Sequence, residues 1–168
     1  MAEITAAMIQ ELREATNVGM MECKRALTEA GGDKEKAVKI LRERGMAIAV
    51  KKASRAANQG LIAAALAADG RTAALIEVNC ETDFAAKNEK FQALVAKLSD
   101  KALGLADNTI AAAAQADITA LGASVGENIV ARRNTRYILQ GDGVLATYIH
   151  PGGKLGVMLE LGCASGAN

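Results

Sequence analysis

The sequence predicts an α+β protein, with a three-helix bundle at the N-terminus followed by a core of antiparallel hairpins covered by helices. Three observations carry this prediction. Apolar residues recur at helical spacing in three short segments before Gly45, separated by Asn17-Val18-Gly19 and Gly31-Gly32. From Gly60 the period changes, and two apolar runs flank Asp69-Gly70, the dipeptide best suited to a tight hairpin turn. Finally, Gly143 to Cys163 can be laid over Gly60 to Cys80 at a constant offset without a gap. Gly60/Gly143, Ala63/Ala146, Gly70/Gly153, Glu77/Glu160 and Cys80/Cys163 coincide, which predicts two similar hairpins and a duplicated α+β unit.

The elements follow in order. Thr5 is a good N-cap, and Met8, Ile9 and Leu12 after it mark the first helix. A second helix runs from about Met20 to Ala30 and stops at Gly31-Gly32; Asp33 caps a third, through Val38 and Leu41 to Gly45. Together they form a bundle over residues 1–50 that is similar to the ubiquitin-associated type of three-helix module. Residues 51–59, polar and basic, read as a linker with some helical character. Residues 60–140 form a first core subdomain: the hairpin, then one long helix with Phe91, Leu94, Val95, Leu98, Ala102 and Leu105 as its apolar stripe. An Ala-rich stretch from 106 to 123 reads as helical, and Gly126 to Arg133 leads into a second strand region. Residues 141–168 begin a second core subdomain, incomplete at its C-terminal end. No helix follows the second hairpin, so one apolar sheet face is expected to be bare. The expectation is a piece of a longer protein, or a short form that covers this face by self-association.

Composition narrows the function. The chain has 168 residues, enough for a real core, but only Phe84, Phe91, Tyr137 and Tyr148 are aromatic. Lys plus Arg number 20 against 19 Asp plus Glu, which makes no global electrostatic case for nucleic acid or an anionic membrane. Lys51-Lys52-Arg55 and Arg132-Arg133 lack neighbouring aromatics to stack bases and read as solvated helix faces, so nucleic acid is not an expected partner. Cys23, Cys80 and Cys163 are odd in number and without metal-ligand spacing, as expected of reduced thiols in a cytoplasmic protein. No signal peptide or spanning segment is read. With one histidine and no Gly-rich phosphate loop, the chain is expected to be no enzyme, to hold no metal or cofactor and to bind no nucleotide directly.

Two stretches carry a family resemblance. They are Leu12-Arg13-Glu14-Ala15-Thr16-Asn17-Val18-Gly19-Met20-Met21-Glu22-Cys23-Lys24-Arg25-Ala26-Leu27 and Glu77-Val78-Asn79-Cys80-Glu81-Thr82-Asp83-Phe84-Ala85-Ala86-Lys87-Asn88. Gly126-Glu127-Asn128-Ile129 with Arg132-Arg133 adds a third. In this combination and order the chain resembles elongation factor Ts over essentially its whole length. Asn17 stands where the family usually has Gly, and Ala85 where it usually has Val. The resemblance implies a guanine-nucleotide exchange factor that binds the GTPase domain of elongation factor Tu and promotes GDP release.

By pattern alone, Asp83-Phe84 reads as a helix start with a buried ring, since Phe84 lies seven residues before Phe91. The resemblance implies instead that Thr82, Asp83 and Phe84 reach the partner, with the ring wedged between helices near its magnesium site. Met20 and Met21 lie about 100° apart on a helix, and two core methionines are as good a reading of the pattern. Arg13 alone reads as a solvated charge, and His150 at the second hairpin tip as an unremarkable exposed histidine. The resemblance implies that Arg13, Met20 and Met21 dock the bundle on the partner, and that Val125, Gly126 and His150 make further contacts. A non-catalytic adaptor remains the alternative; in it Phe84 belongs to the core.

Overall fold

The computed structural model describes residues 4–16, 18–52 and 54–163. It is α+β, with helices and antiparallel sheets. The chain divides into two compact units, one built from residues up to Arg55 with Thr119–Glu127, the other from Ala56–Ile118 and Asn128 onward.

In the first unit, Thr5 accepts the amide of Met8 through Oγ1 at 3.3 Å and starts helix α1, Ala6–Thr16. Helix α2 covers Met20–Glu29 and is followed by Gly31 and Gly32 at positive φ. Asp33 accepts the amide of Lys36 at 3.0 Å at the start of helix α3, Lys34–Lys52. Leu12, Cys23, Ala26, Leu27, Ala37 and Leu41 form the bundle core. The reading of Asn17 as a turn residue falls outside the described residues. The third helix does not stop at Gly45 but runs on to Lys52, so it takes in the first residues of the expected linker. A helical glycine costs only about 1 kcal/mol, and here a Cβ would meet Ala123 and Thr119 at 3.7 and 3.9 Å.

In the second unit, strands β1 (Gln59–Leu66) and β2 (Thr72–Cys80) pair antiparallel, and β3 (Val130–Ile138) joins the other edge of β2. Strands β4 (Gly143–Ile149) and β5 (Gly156–Gly162) form a separate hairpin. The two hairpins share their construction. Gly60 pairs with Asn79 and Gly143 with Gly162. Both glycines have positive φ, and an added Cβ would stand 2.1 Å from the Val78 carbonyl oxygen in one and 2.2 Å from that of Leu161 in the other. The turns repeat as well: the amides of Ala67 and His150 donate to the carbonyls of Thr72 and Leu155, and those of Gly70 and Gly153 to the carbonyls of Ala67 and His150.

A basic residue from each hairpin turn ties down a neighbouring segment, Arg71 the β3–β4 connection and Lys154 the start of β1. Arg71 donates to the carbonyls of Leu139 and Gly141, both at 3.1 Å, while Lys154 donates to Gln59 Oε1 and the Gly60 carbonyl, both at 3.0 Å. Ala73 packs with Leu145 and Met158, and Gly156 lies under Ile62 and Leu75.

The opposite face of the first hairpin, with Ala74, Ile76 and Val78 fully buried, is covered by helix α5, Glu89–Ala102. Phe91, Leu94, Val95, Leu98 and Ala102 supply its stripe as expected, but Leu105 lies past its end. The single long helix expected after Phe84 is two. A four-residue helix α4, Asp83–Ala86, ends at Lys87, and Asn88 caps α5 by accepting the amide of Lys90 at 2.9 Å. The Ala-rich stretch forms helices α6 (Ile110–Ala113) and α7 (Gln115–Val125).

Candidate functional site

The segment from Cys80 to Lys87 makes a short projecting tip. Thr82 is extended (φ −123°, ψ 157°) and its Oγ1 accepts the amide of Ala85 at 3.2 Å, so α4 starts with a side-chain cap. Small residues anchor the helix, with Ala85 and Ala86 buried against the core. Asp83 and Phe84, two positions earlier and about 200° round the helix, face away from it. Phe84 is 80% exposed, whereas Phe91 is fully buried. The reading of Phe84 as a continuation of the Phe91 stripe fails because the break at Lys87-Asn88 separates the two rings into different helices. Asp83 Oδ2 accepts from Lys87 Nζ at 3.0 Å. That hydrogen bond outweighs an opposing effect of desolvation and, with a lesser contribution from the charge of the same ammonium, holds the Asp83 carboxyl below the usual aspartate value.

The base of the tip is tied down. The Cys80 thiol donates to the Thr82 carbonyl at 3.1 Å. Glu81 Oε1 accepts the backbone amide of Asn128 at 2.6 Å, linking the end of β2 to the approach to β3. Further along the sheet, Arg133 Nε donates to Glu77 Oε2 at 2.7 Å and Arg132 lies 3.7 Å from Oε1. Arg132 and Arg133 therefore sit on a strand, beside a carboxylate, not on a solvated helix face.

The remaining candidates belong to other elements. In the first unit Arg13 is exposed in the last turn of α1, and Met20 and Met21 open α2 at 51% and 65% exposure. Both methionines are thus outside the bundle core, which α2 builds with Cys23, Ala26 and Leu27. Met21 borders an open groove with Lys24, Arg25, Thr28, Glu29 and Arg44. Arg44 spans Glu22 and Glu29 across it. Val125 ends α7, and Gly126 follows at φ +81° with open space where a side chain would be. In the second unit His150 stands exposed at the tip of the β4–β5 hairpin, and its Nδ1 is 3.0 Å from Tyr148 Oη. Thr82, Asp83 and Phe84 form one continuous feature.

Sequence reasoning missed Lys87, Glu81 and Tyr148. Lys87 and Tyr148 had a signal: Asp83 and Lys87 are spaced for a helical ion pair, and Tyr148 precedes His150 by one strand period. Glu81 had none, because its partner is a backbone amide far along the chain.

The family model described as "Elongation factor TS" matches residues 81–167. The chain is 45% identical over 176 residues to the elongation factor Ts of Clostridium tetani, covering 95% of this chain and 56% of the relative. It is 47% identical over 170 residues to that of Aromatoleum aromaticum, covering 96% and 57%, and 43% identical over 166 residues to that of Nitratidesulfovibrio vulgaris, covering 98% and 56%. The chain spans about half the length of the curated relatives it matches.

Proposed function

The chain belongs to the elongation factor Ts family, and on that premise we propose that it binds the GTPase domain of elongation factor Tu and promotes release of GDP during translation elongation in the cytoplasm. The observation that carries the reading is Phe84, an aromatic ring 80% exposed on a capped and anchored tip. Burying such a ring in an apolar crevice is worth about 1.5–3 kcal/mol, or roughly one to two powers of ten in affinity. A ring wedged between helices of the GTPase displaces groups around the bound magnesium and phosphates, and magnesium demands near-ideal geometry. By linkage, a factor that weakens GDP binding is itself bound less tightly by the GDP form, so the cycle releases nucleotide without bond chemistry. Arg13, Met20 and Met21 supply a second contact through the bundle, and Val125, Gly126 and His150 further ones.

We also read the three-helix unit as of the ubiquitin-associated type and the two hairpins as copies of one unit, on the strength of their shared register, turns and crowded glycines. The uncovered face of the second copy is proposed to drive self-association. The adaptor reading loses its footing, since it needs Phe84 in the core. Stopped-flow release of fluorescent GDP from elongation factor Tu tests the exchange reading. The chain is expected to accelerate release, and Phe84→Ala to abolish most of that effect while unfolding at an unchanged midpoint. A well-folded chain that leaves the release rate unaltered, or a fully active Phe84→Ala, overturns it.

A further inference from the structure

Resting on the exchange reading, we infer that Glu81 is a positioning residue for the tip: its carboxylate, fastened to the Asn128 amide, holds Thr82-Asp83-Phe84 at the angle from which the ring acts. Glu81 follows the last residue of β2 and precedes the Thr82 cap, so it sits at the hinge through which α4 leaves the sheet. The bond to Asn128 is 2.6 Å long and spans 47 residues, and Asn128 itself is 9% exposed. A carboxylate accepting a sheltered backbone amide is a strong, charge-assisted hydrogen bond. Its geometry ties the hinge to the first residues before β3, a strand paired along β2.

The other bonds described at the tip act within it. The Thr82 cap and the Asp83–Lys87 pair lie within α4 and its flanks, and fix the helix internally without fixing its direction. The Cys80–Thr82 contact also stays within the segment. Ala85 and Ala86 seat the helix but offer only methyl groups. A wedge has to push against its own base. Without the Glu81 anchor the ring still reaches its crevice, but the displacement it imposes is taken up by movement of the hinge, because an interaction realised only in the strained state is lost when the group making it is loose.

The test compares Glu81→Ala, Glu81→Asp and Glu81→Gln in the full chain, with Phe84→Ala as the control on the exchange reading itself. Fluorescent-GDP release from elongation factor Tu is measured across factor concentrations. Glutamine keeps an acceptor oxygen at the same reach and is expected to release GDP within about twofold of wild type, whereas alanine removes the acceptor and aspartate falls short by one methylene. Those two are expected to lower the saturating release rate about tenfold, the scale of one lost charged hydrogen bond, while the half-saturating concentration changes less. A wild-type rate for both alanine and aspartate, a glutamine variant as slow as alanine, or an effect confined to the half-saturating concentration overturns the inference. If the alanine variant does not fold, aspartate against glutamine decides. Failure of the exchange reading is distinct: it shows as no acceleration by wild type, or as undiminished activity of Phe84→Ala.

Discussion

Asp83 is held ionised by Lys87, the residue that caps the C-terminal end of the same short helix. Its folded-state pKa is lowered, so the bond contributes above the unfolded aspartate value of about 3.9 and is lost as the pH falls through the depressed folded value. Asp83 therefore stays ionised throughout the neutral range. An NMR titration of the Asp83 carboxyl is expected to give a midpoint below the ordinary aspartate value, and Lys87→Ala to raise it towards that value. A midpoint unmoved by Lys87→Ala would show that the ammonium is not the cause. The four-residue spacing of this pair is a signal the sequence carries, although sequence reasoning passed over Lys87. The exposure of Phe84 was not legible, because a seven-residue separation from Phe91 looks the same whether or not a helix breaks between them. What decides is Asn88, whose side chain starts a new helix, and an Asn in that position suits a cap or a solvated helix surface equally.

Among the elements, the loop between α5 and α6 depends on a single buried side chain. Asn134 in β3 is 2% exposed; its Oδ1 accepts the amides of Thr109 and Ile110 at 3.0 and 2.9 Å, and its Nδ2 donates to the Ala106 carbonyl at 2.9 Å. Asp107 adds a second clasp on the Arg136 amide at 2.7 Å, and Asn108 takes a positive φ of 59° in the turn between. The loop thus occupies part of the outer edge of β3 and blunts it against foreign strands. Asn134→Ala leaves several buried groups unpaired, at about 1–3 kcal/mol each before relaxation. Urea unfolding is expected to show a loss of about 3 kcal/mol or more. Thr135→Ala, which removes an exposed bond to Asp107, is expected to cost below about 1 kcal/mol. Equal costs for the two would mean that the loop is not held by Asn134. Hairpins and the first two helices were readable because Asp69-Gly70, Gly31-Gly32 and Thr5 act locally. The end of the third helix was not, since the helix cost of Gly45 is small enough for packing at Thr119 and Ala123 to outweigh it. Asn134 left only a faint trace, as an Asn inside a strand that disfavours it.

For the second unit taken whole, the contrast between its two hairpins is the governing fact. Equivalent positions on the helix-facing side differ only in having a cover: Ile76 and Val78 are 1% and 0% exposed under α5, while Leu159 and Leu161 are 48% and 55% exposed. Val144, Tyr148 and Val157 extend the bare surface, each about half exposed. Strand register fixes this, because Val144 faces Leu161 and Tyr148 faces Val157 on one side of the sheet. A contiguous apolar face of this kind suits a partner. If a second copy of the chain supplies the cover, sedimentation velocity is expected to show association that grows with concentration. The double variant Leu159→Lys with Leu161→Lys is expected to return the chain to monomer at an unchanged unfolding midpoint. Ile76→Ala, at the covered equivalent of Leu159, is expected to cost about 2–5 kcal/mol instead, and Leu159→Ala below about 1 kcal/mol. A wild-type chain that stays monomeric at every concentration defeats the self-association reading, and equal costs at positions 76 and 159 would mean that the second face is covered within the chain itself.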